Sequence, residues 1–212
     1  ISNTSGGANV AIGLDALYSN TTASGNTAVG YSAGYSNTTG TDNVSLGYNT
    51  LYTNTTSSSN TAIGSHALYA NTGASNTALG RQALRFNSSA SNNTAVGYQA
   101  GYSNTTGGNN QVFGYQALYS NQTGSNNASF GTGALSANTA SDNAAFGCGV
   151  TAVAGGALVS NTTGTRNSAF GGGAASSNTT GNYNTALGNL ALKSNTTASS
   201  NTAVGYKAGY SN

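Results

Sequence analysis

The 212-residue chain is predicted to be all-β, a parallel β-solenoid or β-roll of about twelve coils. Three observations carry that prediction. One phrase recurs nearly verbatim, as NTAVGYSAGYSNTTG at 26–40, NTAVGYQAGYSNTTG at 93–107 and NTAVGYKAGYSN at 201–212. Its glycine sets a period: Gly13, Gly30, Gly47, Gly64, Gly80, Gly97, Gly114, Gly131, Gly147, Gly171, Gly188 and Gly205 are spaced 17, 17, 17, 16, 17, 17, 17, 16, 24, 17 and 17 residues apart. Side-chain size also keeps phase with that glycine. The residue before it is always large and apolar, from Ile12 and Val29 to Leu187 and Val204. The residue two before is Ala in nine units, Ser45 and Ser129 in two, and Val112 in one. Self-similarity at a fixed period of this length marks a stacked repeat in which each unit is one supersecondary element.

Each part of the unit has a physical reason. A helix would have to absorb Gly, Asn and Thr throughout, at about 0.5–1 kcal/mol each relative to Ala, with no 3.6-residue stripe to offset them. The T-A-V-G-Y segment instead alternates small and large, so Ala28 and Gly30 share one face of a strand and Val29 takes the other. Seventeen residues suffice for two short strands and two turns, with the second strand opening at the alanine three after the glycine, such as Ala100. NTTG or NTTASG supplies the turn. The Asn four before every glycine, from Asn9 to Asn201, is expected to take a left-handed backbone conformation and to bond the equivalent Asn of the next coil. Coils stacked about 4.8 Å apart would make twelve of them about 55 Å long. Residues 1–212 read as one continuous array, a window on a longer chain, with an insertion near 148–156.

Composition narrows the function. Leu, Ile, Val and Phe total 30 residues, too few for a thick core. Ala and Gly therefore suit a thin roll interior, while the large column lies on the opposite strand face. Both faces call for burial, and a second set of chains packed on the large column, around a threefold axis, would provide it. The opposite arrangement has the large column filling the roll and the small one facing solvent. With three Asp, no Glu and five Lys or Arg, the chain has little charge with which to attract nucleic acid. No apolar run of about 18 residues is present to span a bilayer.

Reactive groups are equally scarce. The acids, bases and nucleophiles are His66, Cys148, Asp15, Asp42 and Asp142. No two of the Asp share a coil, so no catalytic, cofactor or metal site is expected. Asp residues at unrelated phases exclude a calcium ladder, and one Cys with one His cannot make a zinc site within one chain. Cys148 begins the long spacing and reads as a small buried residue beside a tolerated insertion, the sharper reading being an inter-chain thiol. Phe113, Phe130, Phe146 and Phe170 fall in consecutive coils and should stack. Tyr recurs one after the glycine (Tyr31, Tyr48, Tyr98, Tyr115, Tyr206) and five after it (Tyr18, Tyr35, Tyr52, Tyr69, Tyr102, Tyr119, Tyr210). These rows read as ladders along the roll edge, or as platforms for sugar rings. Asn20, Asn37, Asn54, Asn104, Asn161, Asn178 and Asn195 each open an NTT triplet, the pattern of a glycosylation acceptor and equally of a turn.

NVAIG at 9–13, NTAIG at 60–64 and NTALG at 76–80 resemble the head repeats of trimeric autotransporter adhesins, and NTAVGYQAGYSNTTG resembles repeats in the shafts of phage tail fibres. The resemblance covers essentially the whole chain. It implies a left-handed β-roll in a homotrimeric fibre, extracellular, at a cell surface or on a virion, with a spacer or adhesive role and a cell-surface glycan or protein as receptor. The 17-residue unit is longer than that of the autotransporter heads, so the cross-section must differ. Two other uses stay open: an ice-binding solenoid with a Thr face (Thr21, Thr38, Thr55, Thr72, Thr105), and a subunit of a self-assembling, glycosylated extracellular filament.

Overall fold

The computed structural model describes residues 3–148 and 155–211. Their backbone forms twelve three-residue strands and no helix. The contacts divide the chain into two units, Ile1–Thr106 and Gly107–Asn212. The first holds β1 (Val10–Ile12), β2 (Thr27–Val29), β3 (Val44–Leu46), β4 (Thr61–Ile63), β5 (Thr77–Leu79) and β6 (Thr94–Val96). The second holds β7 (Gln111–Phe113), β8 (Ala128–Phe130), β9 (Ala144–Phe146), β10 (Ser168–Phe170), β11 (Thr185–Leu187) and β12 (Thr202–Val204). Within each unit consecutive strands pair in parallel and in register, Ala28 against Ser45 and Ala145 against Ala169, so each repeat is one coil of a β-solenoid.

The register decides which face is inside. The middle residue of each strand points inward: Ala28, Ala62, Ala78, Ala95, Ala145, Ala169 and Ala186 are wholly buried. The large column points outward, with Ile12 59 %, Leu187 48 % and Val204 65 % exposed. A thin interior of alanine thus holds, and the arrangement with the large residues inside does not. Within the single chain that column is not the buried ladder its apolarity calls for.

The far side of the coil is not the second strand expected at Ala100. After the glycine the chain runs through turns in which every second residue has positive φ: Asp15 at 58° and Leu17 at 48°, Asn49 at 52° and Leu51 at 48°, His66 at 58° and Leu68 at 48°. In an extended strand neighbouring side chains face opposite ways. Here Ala16 and Leu17 are both buried, as are Ala67 and Leu68, because the left-handed residue swings its side chain back to the same side. Backbone bonds still join the coils: the Leu17 N–H donates forward to the Ala33 carbonyl and the Ser32 N–H back to the Leu14 carbonyl. The Leu column completes the core. Where the repeat reads AGY instead of ALY, the leucine of the preceding coil fills the space: a Cβ on Gly34 would lie 3.0 Å from Leu17 Cδ2, and one on Gly101 2.9 Å from Leu84 Cδ2.

Two ladders of buried asparagine form the rest of the interior. In the ladder that precedes the strands, Oδ1 accepts from the backbone N–H of the next coil's Asn, as in Asn9 to Asn26 and Asn26 to Asn43, both 2.9 Å. Its Nδ2 donates to a turn carbonyl, Asn26 to Gly40 at 2.9 Å. These Asn are not the left-handed residues; the residue just before each one is, as Asp42 (φ 58°) before Asn43 and Tyr183 (φ 57°) before Asn184. The second ladder is the NTT asparagine, where Asn37 Nδ2 donates to Asn20 Oδ1 at 3.3 Å and to Gly40 O at 2.9 Å. The two 16-residue spacings each lose one residue of the turn between the two Asn, at 71–76 and 138–143. Asn71 then donates to Gly73 O within its own turn, and Asn54 Oδ1 is left buried without a partner.

Candidate functional site

No cluster of three or more His, Cys, Asp or Glu that would hold a metal exists among the described residues. Asp42 and Asp142 hold the same place in the repeat, the left-handed residue before the strand Asn, not unrelated phases; they lie in different units. Asp142 belongs to an exposed row: Asn109 Nδ2 donates to Asn126 Oδ1 at 3.3 Å, and Asn126 Nδ2 to Asp142 Oδ1 at 3.0 Å. Arg166 Nε follows 3.9 Å from Asp142 Oδ2. Cys148 is exposed, which corrects the expectation of a buried thiol. The repeat pattern returns at Gly155, whose carbonyl accepts from the Gly173 N–H as Leu14 does from Ser32. The extra residues are therefore 148–154, and those after Cys148 lie outside the described residues. No described helix is long and apolar enough to cross a membrane.

The informative surfaces are ladders. On the outer strand face Phe113, Phe130, Phe146 and Phe170 stack with ring centroids 4.6–4.8 Å apart and planes within 11°. Beside the glycine, Tyr31 and Tyr48 stack at 5.2 Å, 46 % and 49 % exposed. The row five after the glycine stacks Tyr18, Tyr35, Tyr52 and Tyr69 at 5.1–5.3 Å. A sugar stacking on these rings would need faces that neighbouring rings already cover, so edges and hydroxyls are what this row offers. Burial in the stack, then the neighbouring phenols Tyr52 and Tyr18, Asp15 and Tyr31, raise the Tyr35 pKa above the usual tyrosine value.

Arg85 takes the next place in that row, its guanidinium 5.8 Å from the Tyr69 ring and 6.0 Å from Tyr102. Its Nε is buried without a hydrogen-bond partner, and the ring faces compensate. The other cations do the same: Arg81 lies over Tyr98, Arg166 over Tyr183, Lys193 over Tyr210, and Lys207 over Tyr206 and Tyr210. All five Lys and Arg of the chain are thus engaged with tyrosine, a role the sequence reading missed although Arg81, Arg85, Arg166 and Lys193 each stand one repeat from a Tyr. His66, tilted between Tyr48 and Tyr69, has its pKa lowered by burial, then by Arg85 and Arg81, which holds the ring neutral at pH 7.

The NTT asparagines Asn20, Asn37, Asn54, Asn104, Asn161, Asn178 and Asn195 are all buried. The Nδ2 that would carry a glycan is spent inside the roll, as in Asn178 to Asn161 at 2.7 Å and to Gly181 at 3.0 Å. The folded coil therefore has no room for glycosylation at these positions. The Thr column is likewise committed: Thr21 Oγ1 donates to the Thr38 carbonyl at 3.1 Å and Thr162 to Thr179 at 3.0 Å. No protein-family model matches the chain, and neither a curated protein nor a solved structure matches it.

Proposed function

We propose that the chain is a structural and adhesive fibre segment, a shaft of the phage tail-fibre or trimeric-adhesin kind, which associates as a homotrimer through its outer apolar column and spaces or presents a receptor-binding end. The single observation that carries this reading is the outward column itself. Ile12, Leu79, Phe170, Leu187 and Val204 are each at least 39 % exposed on a sheet whose inner face is already filled with alanine. Contiguous apolar surface of this kind marks an association site. A row with one large side chain per coil gives every coil the same contact to offer, which suits a partner with the same period: another copy of the chain. The place of such a fibre is outside a cell or on a virion.

Sedimentation equilibrium of the purified chain checks the assembly. A trimer is expected, and the double substitution Phe130→Ser, Phe146→Ser should dissociate it while the far-ultraviolet spectrum stays β. A stable wild-type monomer would overturn the assembly.

A further inference from the structure

In the second unit the tyrosine row is interrupted. The column five after the glycine runs Tyr119, Ser136, Val159, Ser176, Lys193, and the column two after the glycine runs from Gln116 to Gly133. Removing a ring and an amide from one coil leaves a depression of about 310 Å³ lined by Gln116, Tyr119, Ser120, Gly133, Ser136 and Ala137. That volume is at the low end of small-molecule sites, about 300–1,000 Å³.

We infer that this depression is a carbohydrate subsite, in which one pyranose ring stacks on the Tyr119 side of the gap. The argument rests on the period of the row. In the first unit Tyr18, Tyr35 and Tyr52 are each followed, 5.1–5.3 Å further on, by a parallel ring within 11°, and Tyr69 by the flat guanidinium of Arg85. In the coil after Tyr119 the corresponding place holds Ser136, so the depression opens where a flat, ring-sized group would continue the stack. A pyranose has such a face of C–H bonds, with hydroxyls around its rim. The rim of the depression is polar to match. Ser136 Oγ donates to the Val159 carbonyl at 3.5 Å and retains acceptor capacity toward a sugar hydroxyl. Ser120 adds a second hydroxyl. Gly133 adds no side chain on the facing coil, which keeps the gap open. An anionic ligand would find no lysine, arginine or histidine lining the depression, so a neutral sugar is the class selected. The site does not depend on the association proposed above.

The test is saturation-transfer NMR on the purified protein with methyl α-D-mannopyranoside, methyl β-D-galactopyranoside and N-acetyl-D-glucosamine at millimolar concentration. At least one should bind. Ser136→Tyr, which restores the row, and Tyr119→Ala should each weaken binding at least tenfold, whereas Tyr35→Ala, within the closed stack, should leave it unchanged. Ser136→Tyr places in this coil the residue that other coils already carry, so an unaltered melting temperature is the control for folding. Failure of all three sugars to bind, or binding that survives Ser136→Tyr, would overturn the inference.

Discussion

At the scale of single residues, two kinds of glycine do different work, and a substitution series separates them. Gly30 has φ +131° and a Cβ there would stand 2.5 Å from the carbonyl oxygen of Gly47. Both the conformation and the close approach of two backbones forbid a side chain. Gly34 has φ +62°, a conformation leucine adopts at the same place in other coils, and only side-chain atoms crowd it, a Leu17 methyl at 3.0 Å and Ser45 Oγ at 3.3 Å. Gly30→Ala should therefore cost several kcal/mol, on the order of 3 or more, while Gly34→Ala costs about 1–2 kcal/mol for a left-handed alanine. Urea denaturation of the two variants checks the order. The anchor glycines were legible in the sequence because nothing else recurs without exception beside an apolar column. The left-handed leucines were not, since leucine carries no local signal for positive φ and is placed there by burial.

At the scale of the element, what holds a coil to its neighbour is amide chemistry as much as apolar contact. A strand of three residues has few ladder bonds, and alanine buries little area. Two buried Asn per coil add side-chain bonds that reach the next coil and close the turn. Asn37 makes both kinds, accepting from Asn54 Nδ2 at 3.1 Å and donating to Gly40 O. Asn37→Ala should destabilise by about 2–4 kcal/mol, because it strands a carbonyl and an amide in the interior. Asn54→Ala should cost less, since its Oδ1 already lacks a partner. Differential scanning calorimetry distinguishes them. Strand positions were readable from alternation, which separates small from large residues but left open which face is inside until the buried alanine column decides it. The opposite side was read as a second strand because seventeen residues have room for two, yet two adjacent buried side chains, Ala16 and Leu17, require a turn.

At the scale of the whole molecule, the repeat accounts for both uniformity and its exceptions. Period and fold class followed from spacing and size, which a stack of identical coils forces into register. The tyrosine depression and the exposure of Cys148 did not follow, because both arise where a column lapses, and a lapse gains meaning only against its neighbours in space. All five Lys and Arg of the chain lie against aromatic rings, which orients these cations without neutralising them.

The two shortened turns bear on cooperativity. In a linear array, stability is close to a sum of coil terms and nearest-neighbour terms, so one weak junction divides it into blocks that open separately. The NTT amide chain runs from Asn20 through Asn37 to Asn54 and resumes at Asn71 to Asn87, with no amide bond between Asn54 and Asn71. Amide hydrogen exchange should show protection falling in a step at that junction, and the coils on either side exchanging as two groups. Restoring the seventeenth residue in the turn at 71–76 should merge them. A single deletion in a surface turn would then set how far an opening travels before it stops, so that damage to one coil is confined to its block.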